Sequence, residues 1–230
     1  TGHYAKIEKG EDGKYILRAS EAVKKDQSYV LYNFTQEQLA HTLMPLGGYN
    51  KDWVRQKAEE LGLGVAHKPD SQEICFVEDD DYAKFITDYS GYEPKEGDIL
   101  DVNGNVIGKH RGLIYYTIGQ RKGIGAYGRP MFVMKIDAEN NTITLGEKGM
   151  EFSNELTAYD VNFVSGEFPK ENMLITAKVR YQAPPAEAML CPQKDGTVKL
   201  MFPEPQRAVT PGQAVVFYDG DIVLGGGTVL

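Results

Sequence analysis

The hydrophobic pattern of this chain changes period near residue 95, and that change limits its possible folds more than any other feature. Helical signals, with apolar positions three or four residues apart, dominate up to about residue 90; beyond residue 95 the apolar positions alternate. The first pattern buries one stripe of a helix and the second one face of a strand, so neither an all-helical bundle nor a single sheet accommodates the whole chain. The helical part carries its own stop and start signals. Thr35-Gln36-Glu37-Gln38 fits a capping box, in which Thr35 accepts from the Gln38 amide and Gln38 reaches back, and a short helix is expected to run on to about Leu43, before Pro45 and Gly47-Gly48. Asn50 is placed to cap a second helix with Trp53, Val54, Lys57, Ala58 and Leu61 on one face and Gly62 just past its end. A third helix is predicted from Asp80 to Tyr89, with Tyr82, Phe85, Ile86 and Tyr89 on one face, the acids of Glu78 to Asp81 at its positive end, and Gly91 as its stop.

Strands are expected at both ends of this helical stretch. Ala5-Lys6-Ile7 and Tyr15-Ile16-Leu17-Arg18 read as a hairpin around Glu11-Asp12-Gly13. Such a hairpin is ordinarily an internal element, and Thr1-Gly2-His3-Tyr4 offers neither an initiator Met nor a signal segment, so a C-terminal piece of a longer protein is expected. After residue 95, Asp98 to Val102 and Val106 to Gly108 flank Asn103-Gly104, and Met131 to Ile136 and Thr142 to Leu145 flank Glu139-Asn140-Asn141. The tail reads as strands near 173–181, 197–202, 213–218 and 221–229, turning at Asp195-Gly196 and Asp219-Gly220, which suggests a small barrel or sandwich. The polar stretch near 150–155, with Gly166 and Pro169, permits a domain boundary.

Composition matters at three points. A length of 230 residues suits one large domain or two small ones. No run of 18 apolar residues exists to cross a membrane, and two cysteines cannot build a disulfide framework, so a reducing cytoplasmic setting is expected. The net charge of −8 argues on its face against a nucleic-acid partner. That charge is unevenly spread, however. Residues 68–101 carry eleven acids and three Lys/Arg, whereas residues 102–136 carry six Lys/Arg and no acid. The basic stretch is either a solvated face or a surface for phosphate.

Few residues here have reactive chemistry. Cys75 lies in "KPDSQEICFVEDDD", where it is either a small buried hydrophobe or a thiol beside the polar loop of Pro69, Asp70, Ser71 and Gln72. Cys191, before Pro192, reads as structural. No CxxC or HxxxH spacing occurs and His3, His41, His67 and His110 are scattered, so no metal is expected. "YTIGQRKGIGAYGRP" at 116–130 is glycine-rich and basic, but no helix pattern follows it, which excludes a dinucleotide fingerprint. Its glycines and Gln120, Arg121 and Lys122 would let amides and cations approach a phosphate backbone. Arg180-Tyr181 sets a cation beside an aromatic at a strand end, a pair able to stack on a base.

Read in order, "TGHYA", "KDQSYVLY", "KPDSQEICFV", "YTIGQRKGIG" and "AVTPGQAVVFYDGD" resemble, essentially end to end, the bacterial tRNA 2-thiouridylase family. The resemblance implies an α+β multidomain chain. Residues 1–74 would be the mostly helical end of a Rossmann-like ATP-pyrophosphatase domain, 75–150 a small β-rich central domain, and 155–230 a C-terminal β-barrel that binds tRNA. The family's SGGVDSS loop and first catalytic cysteine have no counterpart in this sequence, so the 230 residues alone are expected to be inactive. The implied reaction, that of a tRNA-uridine 2-sulfurtransferase, uses ATP with Mg2+ to adenylate the C2 oxygen of the wobble uridine. A cysteine persulfide, loaded by a cysteine desulfurase or sulfur-relay protein, then delivers sulfur, and a second cysteine cleaves the S–S bond or attacks after sulfide is released. By matching position, Cys75 is the persulfide-bearing catalytic cysteine. Gly2 matches an ATP contact, and His3, Lys25, Asp26, Gln27, Arg180, Tyr181 and Gln213 match tRNA contacts. Cys191 matches no catalytic position. Asp70 and Ser71 are either polar neighbours of Cys75 or caps of the strand after them. A cytoplasmic monomer without a membrane partner is implied. Two other classes stay open: an RNA-binding module without an enzyme half, and a persulfide carrier without adenylating activity.

Overall fold

The computed structural model of the chain describes residues 1–22, 25–64, 66–67, 77 and 81–230. A hairpin of β1 (Ala5–Lys9) and β2 (Tyr15–Ala19) comes first, followed by three short helices, α1 (Gln36–Ala40), α2 (Lys51–Glu60) and α3 (Tyr82–Ser90). Strands β3 (Gly97–Leu100), β4 (Val106–His110), β5 (Met131–Asp137) and β6 (Thr142–Glu147) follow. The tail holds β7 (Phe152–Phe163), β8 (Met173–Lys178), β9 (Ala186–Pro192), β10 (Val198–Arg207), β11 (Ala214–Asp219) and β12 (Ile222–Val229). The chain divides into two compact units: Thr1–Lys68 with Asn154–Gln206 and Thr210–Leu230, and Pro69–Ser153 with Arg207–Val209.

The helix ends follow the local chemistry. Thr35 and Gln38 form the capping box, the Asn50 side chain accepts from the Trp53 amide, and Asp81 accepts from the Lys84 amide at 2.9 Å. α1 stops at Ala40, short of Leu43, because the side chains of His41 and Thr42 engage the last carbonyls, Glu37 O at 2.8 Å and Gln38 O at 2.7 Å, while the backbone tightens into a 3-10 turn. α3 ends at Gly91, whose φ of 67° is the left-handed conformation that glycine adopts at little cost.

In the first unit the strands run β1-β2-β12-β11-β8-β9-β10-β7, and β7 pairs back with β12. Six strands, β7 to β12, therefore close a barrel, which removes its edges. The hairpin joins β12 through Ile222 opposite Arg18. Leu190, Val198, Leu200, Val215 and Phe217 are fully buried. A second cluster, formed by Ala5, Leu17, Tyr29, Leu31, Leu39, Val216, Tyr218 and Val223, packs the hairpin and α1 with the barrel strands. β11 is thus covered on both faces, and its Val215-Val216-Phe217-Tyr218 run is apolar without alternation for that reason. Polar side chains fasten the layers. Gln36 accepts from the Tyr15 amide at 2.7 Å and donates to Tyr15 O and Val164 O, while Asn162 donates to Tyr32 O at 2.8 Å. Gly226 is a point of close approach: a Cβ there would lie 2.6 Å from both the Tyr32 ring and Val215 O.

The second unit is a four-stranded sheet, β4-β3-β6-β5, with β3 and β6 parallel and the other pairs antiparallel. Ile99, Val133, Ile143 and Leu145 make its core, with Ile124 and Met131. His110 is buried and structural. The Gly112 amide donates to Nδ1 at 3.1 Å, so the ring proton sits on Nε2, which donates to Asn141 O at 2.9 Å. Among the described residues no helix is long and apolar enough to cross a membrane.

Candidate functional site

The segment from Lys25 to Leu31 is held as a fixed loop on the barrel unit. The Gln27 side chain accepts from the Tyr4 amide at 3.0 Å and the Gln27 amide donates to Tyr4 O at 2.9 Å, joining the loop to the stretch that carries Gly2 and His3. The Asp26 carboxylate faces the protein: it accepts from the amides of Ser20 (3.0 Å) and Ser28 (3.2 Å) and from the Ser28 hydroxyl (2.7 Å). Ser28, Tyr29 and Leu31 are buried in a short 3-10 turn, and the Tyr29 hydroxyl donates to Ala214 O at 2.6 Å, next to the exposed Gln213. Burial, aided by Tyr32, pushes the Tyr29 phenol up to about 12, so it stays a donor across the neutral range.

The end of β8 meets this loop from the other side. The Tyr181 hydroxyl donates to Asp26 O at 3.1 Å, and the Tyr29 and Tyr181 rings sit edge to face with centroids 5.7 Å apart. Lys178 Nζ lies 5.7 Å from the centroid of each ring, with Arg180 two residues on. Burial drives the Tyr218 phenol above its ordinary range, with Asp26, Tyr29 and Tyr181 close enough to add to the effect. Lys51, at the start of α2, is held below the usual lysine value first by burial and then by the charges of Lys25 and Arg55. A partly exposed aromatic ring amid cations can stack a base and neutralise phosphates. Sequence reading missed Lys178 and Tyr29. The available signal was adjacency, since Lys178 precedes Arg180 by two positions and Tyr29 follows Lys25-Asp26-Gln27 by two; β8 itself ends at Lys178, short of the expected 181.

The remaining expected residues are placed less tightly. The His3 ring Nδ1 is 2.7 Å from the Thr1 hydroxyl. Gly2 is exposed, and a side chain there would meet only Leu46 Cδ1, at 3.9 Å. Cys75, Asp70 and Ser71 lie outside the described residues. Cys191, in β9, is half-buried. No group of three His, Cys, Asp or Glu among the described residues is arranged to hold a metal.

In the second unit, the glycine-rich stretch 116–130 leads directly into β5 with no helix after it. Gln120 organises it, accepting from the Thr117 amide at 2.9 Å and donating to Lys122 O at 2.8 Å. Gly119 N donates to Val133 O and Val133 N to Gln120 O, so the loop is clipped to the sheet. Gly119, Gly123, Gly125 and Gly128 all have positive φ.

Three family profiles match the chain in series: "tRNA methyl transferase HUP domain" over residues 1–79, "tRNA methyl transferase PRC-barrel domain" over 83–147, and "Aminomethyltransferase beta-barrel domain" over 153–229. Among curated relatives, the tRNA-specific 2-thiouridylase MnmA of Acetivibrio thermocellus is 58% identical over 231 residues, and that of Clostridioides difficile 54% over 231. A Thermoanaerobacter protein, tRNA-specific 2-thiouridylase MnmA 1, is also 54% identical. Each alignment covers 100% of this chain and 64% of the relative, so the chain spans a little under two thirds of the length of these proteins.

Proposed function

The chain belongs to the tRNA-specific 2-thiouridylase family, and from that membership we propose that it is the tRNA-holding and sulfur-carrying part of a tRNA-uridine 2-sulfurtransferase. In this reading residues 1–74 end the Rossmann-like ATP-pyrophosphatase domain, 75–150 are the central domain and 155–230 the tRNA-binding barrel. The whole protein, a cytoplasmic monomer, replaces the C2 oxygen of the wobble uridine with sulfur. Bound ATP, with Mg2+, supplies the adenylyl group that makes that oxygen a leaving group. Gly2, which is exposed, is one contact of that nucleotide, and the rest of its site is assigned to the protein as a whole.

Cys75 carries the sulfur as a persulfide, loaded by a cysteine desulfurase or a relay protein. A persulfide is more acidic than a thiol, and its terminal sulfur anion is the nucleophile toward C2. That sulfur bonds to C2 as AMP leaves with the former carbonyl oxygen, and a second thiolate cleaves the S–S bond to Cys75, the two cysteines closing as a disulfide. Lys25, Gln27, Lys178, Arg180, Tyr181, Gln213 and His3 hold the RNA. Asp26 acts through the loop it anchors, because its carboxylate is taken up by Ser20 and Ser28.

The observation that carries this reading is the hydrogen bond from Tyr181 to Asp26 O, at 3.1 Å. It joins two segments 155 residues apart, both of which match tRNA contacts of the family. The test is formation of 2-thiouridine in tRNA by the protein as its gene encodes it, supplied with ATP and a persulfide donor and read by nucleoside mass spectrometry. Cys75→Ser should abolish the product and leave tRNA affinity within about threefold, because phosphate contacts dominate such interfaces. Unchanged turnover in Cys75→Ser would refute the role of Cys75. A persulfide that loads on Cys75 without 2-thiouridine formation would make the protein a sulfur carrier instead.

A further inference from the structure

The second unit carries a cationic surface that the barrel-side site does not use. The segment 124–127 walls two open clefts. One, of about 410 Å³, has Arg121 and Arg129 in its lining; the other, of about 490 Å³, has Lys109 and Arg111. Arg111 lies over the Tyr115 ring at 4.1 Å, which fixes its planar guanidinium. Lys109 pairs with Asp98 at 2.5 Å and Arg129 with Glu147 at 2.8 Å, both on the surface, where such pairs are weak and exchangeable. Arg121 and Lys122 are exposed and have no carboxylate partner among the described residues.

We propose that this two-cleft face of the second unit is an additional RNA-binding site, in which Arg121 and Lys122 with Arg111 neutralise consecutive phosphates of the tRNA backbone. The proposal rests on the tRNA reading above and extends it to a surface that no match assigned. Three features favour a phosphate chain over an acidic protein. Cations line both clefts, Arg121 and Arg129 in one and Lys109 and Arg111 in the other, with Glu96 the only carboxylate among the lining residues, so a strand crossing the wall meets cations on each side. The site is poor in apolar lining, whereas a protein partner requires an apolar anchor. Backbone bonds of Gly119 and Gln120 to Val133 clip the loop to the sheet, so the backbone that carries its cations is already in place before binding.

Counterion release provides the readout. Each phosphate neutralised along a single strand contributes about 0.7 to the slope of log affinity against log salt. For the double variant Arg121→Ala/Lys122→Ala the slope for whole tRNA, measured by fluorescence anisotropy, should become shallower by about 1.4. The affinity lost between 50 and 200 mM salt should then be about sevenfold smaller than for the parent chain. Arg121→Lys/Lys122→Arg should keep the parent slope, and both variants should unfold at the parent temperature. An unchanged slope in the alanine pair, with tRNA still bound, would overturn this site and leave the barrel-side reading standing. An unchanged slope accompanied by reduced binding of polyglutamate would give the face to an acidic protein, and would also overturn it. If the parent chain does not bind tRNA at all, both readings fall.

Discussion

Replacing Asp26 by alanine is expected to destabilise the barrel unit more than a substitution at a partly exposed loop residue ordinarily does. Three donors converge on this carboxylate: the Ser20 amide, the Ser28 amide and the Ser28 hydroxyl, at 3.0, 3.2 and 2.7 Å. Ser28 is fully buried and Ser20 nearly so, leaving water little access to donors that lose their acceptor. A buried donor left unsatisfied costs about 1–3 kcal/mol, and taking the low end for each of the three gives about 3 kcal/mol. For a domain of this size that corresponds to about 6–12 °C in Tm. Asp26→Asn retains an oxygen for the two amides and alters only the partner of the Ser28 hydroxyl, so its loss should be about 1 kcal/mol. Thermal unfolding of both variants, followed by circular dichroism, separates the two values. Affinity for tRNA adds an independent readout: Asp26→Asn should bind within twofold of the parent, because the carboxylate faces inward. An Asp26→Ala protein melting within 1 °C of the parent, or a tenfold loss of tRNA affinity in Asp26→Asn, would refute the reasoning.

Two further outcomes follow from local geometry. Gly226→Ala places a methyl group 2.6 Å from both the Tyr32 ring and the Val215 carbonyl oxygen, and since the latter is backbone, repacking of Tyr32 cannot relieve it. A loss of about 1–3 kcal/mol is expected in urea unfolding, and a neutral result would show that β11 and β12 separate more easily than their pairing suggests. Asp137 is held at about 2, chiefly by the Asn140 amide and then by Lys135. A carboxylate depressed in the folded state contributes stability that is complete above its unfolded value near 3.9 and is lost as pH falls through about 2. Asp137→Asn should therefore flatten the fall in Tm between pH 4 and pH 2; an unchanged pH profile would remove the residue from the acid response.

Turn and cap chemistry was legible in the sequence because it is local. Thr35 and Asn50 bond to amides three residues away, and no tertiary contact is needed to select them; Asp81, expected inside the third helix, is instead its N-cap. Strands β7 and β9 were not legible. β7 carries Ser153, Asn154, Glu155 and Asp160, and at Asp160 the backbone turns to a φ of 48°, which breaks the alternation that would mark a strand. β9, Ala186–Pro192, is rich in alanine and ends in proline, a composition that speaks for no strand; its pairing with β8 and β10 decides its state. The tRNA-contact expectations came chiefly from family likeness, and although Lys178 and Tyr29 stand close to expected contacts in the sequence, their meeting with Tyr181 is a product of tertiary packing.

The β1–β2 hairpin has a consequence for the order of assembly. Its Arg18 pairs with Glu8 inside the hairpin and with Asp221 at the turn into β12, 203 residues away. Synthesis proceeds at about 5–20 residues per second, so the hairpin waits on the order of ten seconds or more for its neighbour in the sheet. The second unit, nearly continuous in sequence from Pro69 to Ser153, can condense during that interval. The barrel unit cannot close until β12 has left the ribosome, and its contacts are among the most non-local kind, which fold slowly. A nascent chain halted before residue 222 would lack both the strand that pairs with β2 and Val223, which is buried with Leu17 and Ala5, making premature termination a direct route to chaperone capture or degradation.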